Sequence, residues 1–388
     1  MSDIDTEVVD SLKVLDPKRP IREADIGKLI LPCCTKSPHS KNGVVDCCPR
    51  PRGKAHEATR VHHPMSMLRD FPLAHALFAF ATFVAVCGKA LGETPDTKLD
   101  FARQFDIGAG RKLFLECRGA APAGYPTVVL ISGYYGSSDS WTEREPLELS
   151  PLAVGPAVLP GLARENRVCA YDRPGTLRAM ADAPLTDRST PVAQPRTARD
   201  LVSELHGLLS AAQVPTPYVL VGHSLGGLIA LLYARTYSSD VRGIVFVDAL
   251  SPTLPIQLGA LWPLYLRLLT PPLQDHPVPS LRQPESERVD IEASIDQVRQ
   301  ALPLPPMPLA VLTRTEPFGP LPAGITSESW AAIDTAFVNA QRYFVELVRT
   351  TPQVFATGSG HNIQESQPDL VINATRLVIG RAAAASTK

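Results

Sequence analysis

The hexapeptide Gly222-His223-Ser224-Leu225-Gly226-Gly227 directly follows the apolar run Tyr218-Val219-Leu220-Val221 and leads into Leu228-Ile229-Ala230-Leu231-Leu232-Tyr233-Ala234. Strand, G-x-S-x-G turn and helix in that order fit few architectures. Gly222 and Gly226 let the chain turn sharply and approach itself closely, which raises Ser224 to the tip of the turn above the sheet. That placement suits a nucleophile. A glycine-rich turn with an inert serine has the same spelling, so the reading depends on partners elsewhere in the chain.

A serine hydroxyl needs a base to take its proton. Nine histidines are available. His39, His56, His62, His63 and His75 precede the region with strand and helix patterning, His206 lies inside the amphipathic pattern 200–209, and His276 sits in a proline-rich loop. His223 adjoins the serine and is expected to point the other way from the turn. His361 remains, in Gly358-Ser359-Gly360-His361-Asn362 after the strand-like run 353–356. Its place near the end of the chain suits the order serine, acid, histidine. Two carboxylates are candidates for the acid. Asp248 closes the β-branched run 241–247, and Glu316 lies just past the strand-like run 309–313, inside Thr315-Glu316-Pro317-Phe318. Asp248 is preferred because it ends its strand directly, whereas Glu316 sits in a proline-flanked loop.

Strand-like runs at 127–131, 167–171, 218–221, 243–247, 309–313 and 353–356 alternate with helix patterns at 197–209, 228–237, 329–350 and 368–379. That alternation predicts a parallel sheet wound by crossover helices. No internal repeat, dinucleotide fingerprint or phosphate loop interrupts it. The formal net charge is −1, and no basic run is interleaved with aromatics, which argues against a nucleic-acid partner.

These motifs resemble those of the α/β-hydrolase superfamily, in particular bacterial hydrolases with a Tyr-Asp-Arg-x-Gly turn, a G-H-S-L-G-G elbow and a Val-Asp-Ala strand end. Here they read Tyr171-Asp172-Arg173-Pro174-Gly175, Gly222 through Gly227, and Val247-Asp248-Ala249, within a likeness that runs from about 101 to 377. The resemblance implies an α/β fold with a mostly parallel eight-stranded sheet flanked by helices, and a small helical cap inserted after strand 6. It implies hydrolysis without cofactor or metal, with Ser224, His361 and Asp248 as catalytic residues and a small-molecule ester or acyl substrate. Such hydrolases usually carry a His-Gly pair after the third strand; here Ser132 precedes Gly133. By this mapping the oxyanion donors are the backbone amides of Tyr134 and Leu225. A serine at the elbow disfavours the epoxide and haloalkane hydrolases, which use an aspartate there. Peptides, lactones, thioesters and peracids use the same machinery as carboxylic esters, and a non-catalytic ligand-binding member of the fold is the alternative from another class.

The expected cap, 251–308, contains an apolar stretch at 258–269, a proline-rich loop and a helical pattern at 286–301. Its apolar half suits packing on its own domain, or contact with a lipid surface. Residues 93–388 are a common size for one such domain.

Residues 1–64 are polar and aperiodic and are expected to be disordered or a spurious extension. Their adjacent pairs Cys33-Cys34 and Cys47-Cys48 fit a zinc site poorly. Residues 65–92 read as a secretory signal peptide, with basic Arg69, an apolar run at 73–86 and small residues to Gly92. On this reading translation starts at Met65 or Met67 and the mature protein is exported; otherwise the segment is an uncleaved membrane anchor. Within 93–388 only Cys117 and Cys169 remain. The superfamily's strand order sets their strands side by side, so the pair is either a disulfide or two buried thiols.

Overall fold

The computed structural model describes residues 100–142, 155–180 and 182–386, all within the unit Thr97–Lys388. The extension 1–64 and the segment 65–92 lie outside the described residues.

Eight strands form: β1 (Phe101–Gly108), β2 (Arg111–Arg118), β3 (Thr127–Ile131), β4 (Val168–Tyr171), β5 (Tyr218–His223), β6 (Val241–Val247), β7 (Leu309–Arg314) and β8 (Gln353–Ala356). They make one sheet in the order β1-β2-β4-β3-β5-β6-β7-β8. The β1–β2 and β2–β4 pairs are antiparallel and the rest are parallel. The chain order of the helices is α1 (Asp139–Thr142), α2 (Val158–Leu162), α3 (Ala198–Ala211), α4 (Leu225–Thr236), α5 (Leu254–Leu258), α6 (Trp262–Leu269), α7 (Ile291–Gln300), α8 (Ser327–Ala340), α9 (Arg342–Glu346), α10 (Ile363–Ser366) and α11 (Pro368–Ser386).

The central strands are apolar at nearly every position because both faces of a parallel sheet are covered. Val129, Ile131, Leu220, Ile244 and Phe246 face a layer that includes α3, α4, α7 and α8. Val128, Leu130, Val219, Val221, Val245 and Val247 face α2 and α11. Each fully buried side chain of this kind stabilises the fold by about 1.5–3 kcal/mol, so burial on both faces concentrates stabilisation at the sheet centre. The carboxyl ends of β5 and β6 emerge from it together, His223 beside Val247 in register.

Two helical patterns have bounds different from those expected. The pattern at 329–350 is broken at Gln341, a fully buried residue whose side-chain amide donates to Ala249 O at 2.8 Å. The pattern at 286–301 becomes a helix only at Ile291, where Asp290 Oδ1 caps it by accepting from Ala293 N. Residues before it run along two other loops instead. Glu287 N donates to Gly175 O, Arg196 N donates to Arg288 O, and Asp290 N donates to Arg196 O. The apolar stretch at 258–269 forms the end of α5, a 3-10 turn and α6, and Trp262, Leu264, Leu266 and Leu268 pack against the core of their own domain. No helix among the described residues is long and apolar enough to cross a membrane.

Cys117 and Cys169 face each other in the β2–β4 register, are fully buried and form a disulfide. It closes a loop with a sequence separation of 52, which in the chain-entropy treatment is worth about 4 kcal/mol. A protease digest of the unreduced protein is expected to contain Cys117 and Cys169 peptides joined to one another and separable by reduction. Recovery of both cysteines alkylated before reduction would contradict the bridge.

Candidate active site

Ser224 joins β5 to α4 with φ 50° and ψ −119°, a backbone conformation that costs about 1–3 kcal/mol for a residue with a side chain. Neighbouring strand ends hold it there. Ser224 N donates to Val247 O at 3.1 Å, while Ser224 O accepts from Gly227 N at 3.0 Å and from Leu250 N at 2.8 Å. A Cβ on Gly226 would lie 2.1 Å from Ile131 O, so only glycine lets α4 begin this close to β3. Ser224 is partly exposed, and its hydroxyl makes no hydrogen bond among the described residues.

Asp248 ends β6 with φ 40°, is fully buried, and donates its N–H to Leu312 O at 2.8 Å. His361 Nδ1 lies 2.6 Å from Asp248 Oδ2. A carboxylate only accepts, so Nδ1 carries the proton and Nε2 keeps a free lone pair. Arg314, the last residue of β7, shares the same carboxylate. Its Nε donates to Oδ2 at 3.1 Å and its backbone N to Oδ1 at 3.4 Å. Its Nη1 reaches Asp334 Oδ1 and Glu316 O, each at 2.7 Å, and the guanidinium lies 3.9 Å from the Phe318 ring centroid. Glu316 is exposed and meets this cluster through its backbone, accepting from Arg314 and donating to Ser359 O. The geometry brings Asp248, and not the Glu316 carboxylate, to His361.

The expectation that His223 points away is corrected. Alternation along β5 puts position 223 on the same face as Val219 and Val221, beneath the loop that carries His361 towards α10 and α11. The two imidazole centroids are 4.7 Å apart. His223 Nε2 donates to His361 O at 3.0 Å, and its Nδ1 accepts from Gln364 Nε2 at 3.4 Å. Burial, reinforced by the neighbouring His361, pushes the His223 pKa well below the ordinary 6.5. It is therefore a neutral strut for the His361 loop.

Ser132 braces the loop after β3. Its Oγ accepts from Trp141 Nε1 at 2.9 Å and donates to Ser137 O at 2.7 Å. A Cβ on Gly133 would lie 3.2 Å from Ser224 Cβ, so this loop passes directly over the serine. The amides of Tyr134 and Leu225 engage no acceptor among the described residues. Behind the loop sits Arg173, fully buried, whose Nη1 and Nη2 donate to Ser132 O at 3.0 Å and Gly133 O at 2.6 Å. Its partner is Glu287, with Nε to Oε1 at 2.5 Å; Glu287 Oε2 also accepts from Tyr135 N at 2.7 Å. Burial works against the guanidinium's charge, but the adjoining Glu287 carboxylate overcomes it and holds the Arg173 pKa above its ordinary value.

Tyr134 and Tyr135 are stacked, with centroids 3.9 Å apart, and Tyr134 Oη accepts from Val289 N at 3.0 Å. They line two cavities of about 240 and 250 Å³. One extends to His276, Leu281 and Val289, the other to Ser140, Leu177 and Arg178. Among the described residues no cluster of histidine, cysteine, aspartate or glutamate has the arrangement of a metal site.

His223, Arg173, Arg314 and Glu287 were not singled out as site residues from the sequence. Arg314 had a signal: it is the one charged residue of the run Leu309-Ala310-Val311-Leu312-Thr313-Arg314. Arg173 stood inside a recognised motif without a role, whereas nothing in the sequence links Glu287 to residues 132–135.

The model of the alpha/beta hydrolase family matches residues 128–374. An uncharacterized protein of Schizosaccharomyces pombe is 30% identical over 153 residues, which is 36% of this chain and 26% of that protein. YqjL of Bacillus subtilis is 26% identical over 246 residues, 63% of this chain and 80% of that protein. The match thus spans about a quarter of the yeast relative's length and four-fifths of YqjL's. Among solved structures, a thermophilic esterase from Thermogutta terrifontis aligns with a TM-score of 0.43 at 18% identity, covering 73% of this chain and 99% of that one.

A neutral buried histidine makes stability depend on pH with a definite sign. The unfolded chain binds a proton at His223 below about pH 6.5 and the folded one does not, so its contribution is whole above that pH and shrinks as pH falls. The Tm of the wild-type protein is therefore expected to drop below pH 6.5 more steeply than that of His223→Gln. Parallel Tm profiles of the two would contradict the neutral strut.

Proposed function

The chain belongs to the alpha/beta hydrolase family, and from that premise we propose that it is a serine hydrolase of carboxylic esters, working through an acyl-enzyme on Ser224. Ser224 Oγ adds to the acyl carbon while its proton passes to His361 Nε2. The carbonyl oxygen becomes an oxyanion between the Tyr134 and Leu225 amides. The bond from the acyl carbon to the alcohol oxygen then breaks, and His361 returns the proton to the departing alcohol. Water adds to the acyl-enzyme, again losing its proton to His361, and Ser224 leaves with that proton as the acid is released. Asp248 keeps the proton on Nδ1 and stabilises the imidazolium in both steps. Arg314 holds the Asp248 carboxylate in place.

The observation that carries this reading is the 2.6 Å contact of His361 Nδ1 with buried Asp248, beside a strained, partly exposed serine at the end of the adjacent strand. It leaves a basic Nε2 and an open hydroxyl at the same sheet edge. The cavities lined by Tyr134 and Tyr135 adjoin the loop that carries the Tyr134 amide, and neither is lined by Ser224 or His361. The Cys117–Cys169 disulfide supports work in an oxidising compartment after export.

Hydrolysis of p-nitrophenyl esters from acetate to long acyl chains is expected from the wild-type protein and not from Ser224→Ala. Asp248→Asn should lose turnover by roughly 10⁴-fold, as a wrong histidine tautomer does elsewhere, while Glu316→Gln stays near wild type. Turnover that survives Ser224→Ala, or that falls with Glu316→Gln and not with Asp248→Asn, would overturn the corresponding assignment. A folded protein silent across the series would point to a non-ester substrate or a binding role.

A further inference from the structure

We propose that the buried pair Arg173–Glu287 is the device that aims the Tyr134 amide, and that the stretch 285–289 is part of the catalytic framework and not only a cover. The inference rests on the hydrolase reading above.

Three successive peptide groups of the loop after β3 are engaged from one side. Arg173 Nη1 takes Ser132 O at 3.0 Å, Arg173 Nη2 takes Gly133 O at 2.6 Å, and Glu287 Oε2 takes Tyr135 N at 2.7 Å. In a trans peptide the C=O and the following N–H point in opposite directions. Fixing Gly133 O on Arg173 therefore directs Tyr134 N–H away from Arg173. The loop's other flank is the one that meets the elbow, where a Cβ on Gly133 would lie 2.7 Å from His223 Nδ1 and 3.2 Å from Ser224 Cβ. Gly133 O also accepts from Gly136 N at 3.1 Å; without Arg173 that turn bond alone holds a glycine peptide that is free to turn over, and a turned peptide would present the Gly133 carbonyl to a developing anion.

Arg173 can do this only with Glu287 beside it, since a lone guanidinium with 1% side-chain exposure would be left uncompensated. The carboxylate comes from the segment between β6 and β7, which docks on the turn that carries Arg173. Glu287 N donates to Gly175 O at 2.9 Å. Gly175 has φ +80°, and a Cβ there would lie 2.2 Å from Glu285 O. The turn thus supplies the arginine and, two residues on, the gap that admits its partner.

The test uses the full-length protein with active sites counted by a fluorophosphonate titrant, so that turnover is expressed per reactive serine. Arg173→Lys keeps the charge, but a single ammonium lacks the fork that spans two carbonyls and Glu287. It is expected to lower kcat by about 100-fold or more, the effect of losing one oxyanion donor, with KM within about threefold. Affinity for an arylboronic acid, whose serine adduct is a tetrahedral anion, should fall in proportion to kcat. Glu287→Gln keeps an acceptor for Tyr135 N–H and should lose less than Glu287→Leu. If Arg173→Lys does not fold, the two Glu287 variants carry the comparison. Unchanged kcat and boronate affinity per titrated site in a folded variant would overturn the proposal, as would kcat loss without boronate loss. A wild-type protein that neither takes the fluorophosphonate nor turns over esters would instead overturn the hydrolase reading, and this inference with it.

Discussion

A serine held at φ 50° between a strand and a helix that are both buried is the constraint around which the molecule is arranged. Left-handed backbone at a residue with a side chain persists only where its surroundings over-determine it. Here β3, β6 and the start of α4 all close on it, through Ile131, Val247, Gly227 and Leu250. That closeness explains the composition of the turn, since the glycine at 226 is the only residue that fits against the β3 carbonyl. It also explains why the neighbouring chemistry gathers at one sheet edge. The strand end beside Ser224 carries Asp248, the loop beneath β5 carries His361, and the loop over β3 carries the Tyr134 amide.

The polar groups of the site fall in two separate clusters, each built on a buried arginine–carboxylate pair, and each fixes a different part of it. Asp248, His361, Arg314 and Asp334 form one, which sets the orientation of the imidazole. Arg173 and Glu287 form the other, which grips the loop after β3. Taking ions out of water is expensive, and a well-packed apolar pair of the same volume is often no less stable. Such pairs are therefore weakly explained by stability alone, and better explained by the directions they impose on hydrogen-bonding groups nearby. Neutral His223 does the same without charge, joining the end of β5 to the His361 backbone. Burial makes that neutrality the resting state.

Much of this is legible in the amino-acid sequence itself. The elbow, the parallel sheet and the pairing of His361 with a strand-end acid all follow from local patterns: an apolar run, a small-residue turn, a carboxylate at a strand end. What was not legible depends on long-range placement. Whether Asp248 or Glu316 met His361 turned on where a proline-flanked loop lay, and that loop uses its backbone and not its carboxylate. The side chain of His223 obeys the simple alternation of β5, and its meeting with the His361 loop depends on where that distant loop lies. The helix expected from 286 starts at Ile291 because the preceding residues are committed to Gly175 and Arg196, on loops about a hundred positions away in the chain.

Whether Ser224 is an activated nucleophile is decided by mass spectrometry of the protein after reaction with a fluorophosphonate. A single phosphonyl adduct is expected on the peptide that contains Ser224, formed by the folded protein and not by one denatured beforehand. A folded protein that takes no adduct, or takes it on another serine, would contradict it.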